Sequence, residues 1–277
     1  MITVFPGTES QYGMRCNTIV KRFPDGSAII TAATRQIFRI PGYERRPVNK
    51  WDEVSMKSEP EALGAEALLT EWQKYTAYQG SEQEAKDRAA NLARAQRRAK
   101  TAVRDLALAN PFRFFVTLTF DKAKVNRWDD KEVLRVTKNW LDNTVRRHGL
   151  AYVLVPERHK DGAIHFHGFF NGALEGVDSG HKTERGQVIY NLPGWPWGFT
   201  TAIEVYGEYG AAVGYVCKYI TKGTDKVGGR WYYHGGNLRF PDVEYLNTDI
   251  AEQSDKSDRF MVNALEGVEM TIVRTEV

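Results

Sequence analysis

Two histidines occupy alternate positions of an apolar run, Ala163-Ile164-His165-Phe166-His167-Gly168-Phe169-Phe170. In a strand, side chains at i and i+2 leave the same face, so His165 and His167 point one way and Ile164 and Phe166 the other. Side-by-side imidazoles in so apolar a run are costly unless hydrogen-bonded or bound to something, and a metal ion is the usual occupant. A second stretch, Tyr215-Val216-Cys217-Lys218-Tyr219-Ile220-Thr221-Lys222, reads as a helix. It carries two tyrosines at i and i+4, each followed three residues later by a lysine.

Glu157 ends the strand-like run Ala151-Tyr152-Val153-Leu154-Val155-Pro156-Glu157, and Asp161-Gly162 signals the turn after it. If Lys160-Asp161-Gly162 is a three-residue loop with Gly162 in the left-handed region, His159 pairs with Ala163 and Glu157 stands opposite His165. A two-residue loop shifts the register by one and turns Glu157 away. The three-residue reading gives a Glu/His/His face. One carboxylate and two imidazoles, with positions left for water or phosphate, suit catalytic Mg, Mn or Zn rather than a closed structural site. His148, His159, His181 and His234 lack such context and are assigned to surface or loop.

On a helical wheel with Tyr215 at zero, Tyr219 falls near about 40° and Lys222 near about −20°. Val213, Val216, Cys217 and Ile220 cluster at roughly 100–200°, an aliphatic face for the core. The Tyr/Lys face is then available to meet a metal. A phenol has a pKa of about 10 and is a poor nucleophile unless activated. Lys218 and Lys222 could lower that pKa or neutralise a phosphate. A metal strand facing a tyrosine–lysine helix is a nuclease-like constellation.

The elements that must hold these groups are also legible. Residues 1–50 read as short strands broken by turns such as Pro24-Asp25-Gly26. Ser81-Glu82-Gln83-Glu84 is a capping-box pattern opening a helix to Leu108, stopped by Asn110-Pro111. On it, Arg94, Arg97, Arg98 and Lys100 could touch a phosphate backbone or form an ordinary solvated face. A strand over 112–120, a helix over 129–148, a hairpin over 151–170, a loop-rich stretch to Thr200, a strand at 201–205 and the tyrosine helix from Glu208 follow. Thr117 and Thr119 share one strand face and could support the site. Trp195, Trp197, Tyr232 and Tyr233 could stack on bases or pack loops.

Three of these stretches carry a family resemblance. Phe114-Phe115-Val116-Thr117-Leu118-Thr119-Phe120 resembles the first motif of the HUH endonuclease superfamily. His165-Phe166-His167 is similar to its histidine–hydrophobe–histidine motif, with Glu157 in the place of the third ligand, and Tyr215 to Lys222 resembles its tyrosine motif. Their order matches rolling-circle replication initiators of the phage and plasmid type. In the related conjugative relaxases the tyrosine precedes the histidines. The resemblance covers residues 108–240 and leaves the first hundred residues and the tail unexplained.

The resemblance implies an α+β fold, a central antiparallel sheet of about five strands flanked by helices. It divides the chain into an N-terminal β and basic helical region at 1–107, an endonuclease domain at 108–247 and an acidic tail at 248–277. It implies nicking of single-stranded DNA at an origin with Mg or Mn, leaving a 5′-phosphotyrosine and a 3′-hydroxyl, and later rejoining. By comparison with single-tyrosine relatives, Tyr219 is the primary nucleophile and Tyr215 the second. The implied partners are an origin single strand and a host replicative helicase, in the cytoplasm of a bacterial host. An HUH-type transposase, a non-catalytic single-strand-binding protein and a metal hydrolase using activated water are the alternatives.

Composition is compatible with this. At 277 residues, 42% hydrophobic and 26% charged, the chain can bury a core as one large or two small domains. The net charge is only +3, but residues from Thr248 onward carry −4, which leaves +7 on the remainder. A basic body fits a nucleic-acid partner. Two cysteines, Cys16 and Cys217, exclude a four-cysteine zinc site. No apolar run approaches the roughly 20 residues of a membrane span, and no signal peptide is expected.

Overall fold

The computed structural model describes residues 4–6, 8–10, 13–39, 71–205, 209–222, 226–248, 260–265 and 268–275. The chain forms two compact units, one from Met1–Val48, Asp105–Pro111 and Asn237–Val277, the other from Asn49–Arg104 and Phe112–Gly236.

The first unit holds β1 (Val4–Pro6), β2 (Thr8–Ser10), β3 (Gly13–Arg22) and β4 (Ala28–Arg39). β3 and β4 are antiparallel neighbours joined by the expected turn, in which Gly26 takes φ 87°. The same sheet receives β12 (Asp242–Thr248), β13 (Phe260–Leu265) and β14 (Val268–Thr275), in the order β1-β12-β3-β4-β14-β13 with β2 beside β3. The acidic tail therefore contributes strands, and the expected 108–247 segment spans parts of both units. Local signals mark a hairpin, but pairing between strands more than 200 residues apart has no local signature.

The second unit carries the candidate site. α1 (Glu71–Ala109) starts ten residues before the expected capping box, with Gly80 and Ser81 inside it. A lone glycine costs a helix about 1 kcal/mol and need not end it when good helix formers flank it. β5 (Phe114–Phe120), α2 (Asp130–His148), β6 (Tyr152–Arg158), β7 (Ile164–Phe170), β8 (Val177–Lys182), β9 (Val188–Asn191), β10 (Gly198–Glu204), α3 (Tyr209–Lys222) and β11 (Tyr233–Gly235) follow. The sheet order is β11-β6-β7-β5-β10-β9-β8, antiparallel throughout. It has seven strands because the stretch read as loop-rich folds into the β8–β9 hairpin. The fold is α+β, as expected.

Alternation sets the two faces of this sheet. Phe114, Val116, Leu118 and Phe120 of β5 are buried with Ile164, Phe166 and Phe170 of β7 and Tyr152 and Leu154 of β6. α2 covers this face with Val133, Leu134, Val136 and Leu141. Its N-cap Asp129 accepts from the Lys131 N–H, and Gly149 closes it at φ 69°. The odd-numbered residues of β5, β6 and β7 face the other way, where α3 packs on β6 and β7. Among the described residues no helix is long and apolar enough to cross a membrane.

Candidate metal and nucleophile site

The β6–β7 hairpin adopts the three-residue register. Glu157 pairs with His165 and Arg158 with Ile164. Gly162 takes φ 82°, and the His159 N–H donates to Ala163 O at 2.9 Å. The loop is pinned from outside: the Ile164 N–H donates to Arg127 O, the Trp128 indole N–H to Asp161 O, and Arg127 pairs with Asp161.

Both motif histidines are buried on the α3 side of the sheet. Their Nδ1 atoms meet the threonines of β5, His167 with Thr117 Oγ1 at 3.1 Å and His165 with Thr119 Oγ1 at 3.2 Å. In the tautomer that donates Nδ1–H to threonine, the Nε2 lone pair is left for a ligand. Burial is the largest influence on both rings and holds each pKa down to about 4. The neighbouring His159 and the other motif histidine push His165 the same way, whereas the Glu157 carboxylate opposes burial at His167. Both are therefore neutral, ligand-competent imidazoles at neutral pH.

The donor set fits a divalent cation. His167 Nε2 is buried without an aligned hydrogen-bond partner, yet lies 2.9 Å from Glu157 Oε2. An ion between carboxylate and imidazole would satisfy both. Among the described residues, the His/Cys/Asp/Glu group whose donor atoms all lie within 4.8 Å of one another is Glu157, His159 and His167. His159 was assigned to the surface from sequence. The signal was present, because it shares a strand face with Glu157 at i+2.

His165 lies against the new member: the His159 and His165 rings stack at 3.8 Å, 13° from parallel. Imidazole lone pairs lie in the ring plane. Two rings stacked this way cannot both reach one ion at the usual metal–nitrogen distance of about 2.1 Å. His165 is anchored by Thr119, whereas His159 is exposed. The anchored ring is the better-prepared ligand, since it loses less freedom on binding.

α3 lays its tyrosines over these ligands. Tyr219 is 7% exposed and stacks on His167 at 4.0 Å, 4° from parallel. Lys222 Nζ covers the Tyr219 ring at 4.5 Å and pairs with Glu157 Oε1 at 3.2 Å. Tyr215 is 47% exposed, sits edge-on to Phe115 and accepts the Tyr219 hydroxyl hydrogen at 2.8 Å. Burial, then the bond to Tyr215, then the charges of Tyr215 and Glu157, push the Tyr219 pKa well above its ordinary value. Of the four α3 residues assigned to chemistry, Tyr215, Tyr219 and Lys222 converge on the site. The Lys218 side chain is exposed.

The basic residues of α1 sit apart from the ligands. Arg94, Arg97 and Arg98 are exposed, while Lys100 is half-buried and its carbonyl accepts from the Cys217 thiol of α3 at 3.6 Å. Of the aromatics considered for base stacking, Trp195 and Tyr233 are buried and pack the core.

Fold and site together define an α+β unit whose sheet joins a metal-competent carboxylate–imidazole group to a pair of helix tyrosines. Residues 113–224, under half of the chain, match a family model for replication-associated proteins of the ORF2 type. That span holds β5, both ligand strands and the tyrosine helix, and the match supports a replication-initiator family for it. No curated protein and no solved structure matches the chain.

Proposed function

We propose that this protein initiates rolling-circle replication by nicking single-stranded DNA at an origin through a tyrosine nucleophile beside a divalent metal. The observation that carries the reading is the convergence of Tyr215 and Tyr219 on the Glu157/His167 group within the span matched to replication-associated proteins. Glu157, His165 and His167 would hold Mg or Mn, which as a Lewis acid would polarise a phosphate oxygen.

The chain's own residues account for the rest. A phenol loses its proton as its oxygen bonds to phosphorus. The bond from phosphorus to the 3′ oxygen breaks, and that oxygen takes up a proton to become a free hydroxyl. The product is a 5′-phosphotyrosine, and the reverse step rejoins strands. Lys222, which balances Glu157 in this arrangement, becomes available for phosphate charge once a metal takes over the carboxylate. Tyr215 opens the reaction in this reading. It is exposed and accepts a hydrogen bond, which favours its phenolate, whereas Tyr219 is buried and donates. Tyr219 serves the second transfer. A host replicative helicase and a bacterial cytoplasm complete the proposal.

The test is incubation with candidate origin oligonucleotides and Mn, followed by a denaturing gel. A covalent protein–DNA band is expected. Its absence under all metals, with intact binding, would return the chain to a single-strand-binding role, and cleavage without a covalent band would point to activated water.

A further inference from the structure

Phe199 is the most exposed of the large hydrophobic side chains among the described residues, at 73%. Single exposed apolar residues are ordinary on protein surfaces and carry no meaning by themselves. The register around this one gives it meaning. Phe199 pairs with Thr119, Thr119 with His165, and His165 with Glu157. Directly paired residues in an antiparallel sheet project from the same face. Phe199 therefore ends a four-strand row that begins at the carboxylate of the metal group. At about 4.8 Å between neighbouring strands, its backbone stands roughly 10 Å from that of His165.

The surroundings make the ring a fixed platform. α3 covers this face over β6 and β7, and Tyr215 reaches as far as Phe115. On β10 the face is open, with Thr201 exposed opposite Thr117. The backbone that carries Phe199 is held tightly. A Cβ on Gly198 would meet Thr119 O at 2.2 Å and Asp121 N at 2.6 Å, and the Asp121 N–H donates to Trp197 O at 2.8 Å.

We propose that Phe199 is the stacking platform for an unpaired nucleobase next to the scissile phosphate, seating the single strand across β5 and β10. This rests on the nicking reading above, and it deepens it by naming where a base adjoining the cut is gripped. The threonine strip between the platform and the ligands offers hydroxyls to sugar and phosphate. A paired base has its faces taken by its stacked neighbours, so the platform selects single strands over duplex.

The experiment compares Phe199→Ala, Phe199→Trp and the unaltered protein with single-stranded oligothymidylate and with its duplex with oligoadenylate, in Mn. Phe199→Ala is expected to weaken single-strand binding by about tenfold or more, the size of one base–aromatic stack. Its thermal midpoint and Mn affinity should not change, because the side chain is exposed and touches no ligand. Phe199→Trp should restore affinity, and its added fluorescence should be quenched by single strands and not by duplex. Unchanged affinity in Phe199→Ala, while the unaltered protein binds, would overturn the platform and leave the nicking proposal standing. Equal quenching by duplex would overturn it as well. Failure of the unaltered protein to bind single strands would bring down the nicking reading itself, and the platform with it.

Discussion

At the scale of the residue, one hydrogen bond separates two tyrosines that look equivalent in sequence. Helical spacing put both phenols on one side, and family resemblance favoured Tyr219 as the first nucleophile. The side chains differ in burial and in which oxygen donates. Tyr215→Phe should therefore abolish the first covalent adduct, whereas Tyr219→Phe should still form one adduct and fail at the second transfer. Mass spectrometry of the DNA-linked peptide from each variant checks this, and an adduct on Tyr219 in the Tyr215→Phe protein during the first cut would reverse the order. The histidines give a second prediction. Removing the Thr119 hydroxyl as Thr119→Val should weaken Mn binding by about 10-fold, the lower end for loss of a ligand's supporting bond. His165→Ala should weaken it further, and His159→Ala should change it little. Calorimetric Mn titration distinguishes these, and a larger loss in His159→Ala than in His165→Ala would make His159 the working ligand.

Acidity follows from the same burial. The pKa values of His165 and His167 fall from about 6.5 unfolded to about 4 folded. Between those values the unfolded chain binds more protons than the folded one, so metal-free stability falls as pH drops from about 6.5 to about 4 and levels off below. Denaturant unfolding in chelator across that window should show the decline. The His165→Ala/His167→Ala double variant should show a shallower one, and an identical slope would remove the histidines as its cause.

At the scale of the element, β7 depends on a glycine. Gly168 lies between Val116 and Leu154, and a Cβ there would meet Val153 O at 1.9 Å and Leu154 Cα at 2.9 Å. Neither contact can yield without separating β6 from β7, the two strands that hold the ligands. Gly168→Ala should cost about 3 kcal/mol, the upper end for overpacking a well-fitted interior, measured by denaturant unfolding, and a loss below about 1 kcal/mol would mean that the strands can part cheaply. The hairpin around these strands was legible because register and turn chemistry are local: Asp161-Gly162 fixed the loop, and the loop fixed Glu157 opposite His165. The α1 start was misplaced because the Ser81 pattern resembles a cap whether or not helix precedes it. His159 was overlooked because its partner group forms across two strands and only the fold brings His167 to it.

At the scale of the whole molecule, what remained hidden was non-local. Nothing in Asp242–Thr248 or Val268–Thr275 announces β3 and β4 as their partners, so the tail read as acidic composition rather than as strands. Charge was legible only as a sum, and a net +3 does not say where a polyanion would lie. The helix α1 gives that charge a direction. Ala99, Val103, Leu106 and Ala107 are buried, and at about 100° per residue they mark one side of the helix. Arg94, Arg97 and Arg98 fall on the opposite side and are exposed together. If this face follows the DNA backbone, replacing all three with glutamine should weaken single-strand binding uniformly across sequences. It should also flatten the salt dependence, by about 2 in the slope of log K against log salt. The covalent yield per bound strand should stay the same, because none of the three arginines touches the ligands or the tyrosines. Anisotropy titrations over a series of salt concentrations measure the slope. An unchanged slope would leave the three arginines as a solvated helix face and move the phosphate contacts to the sheet.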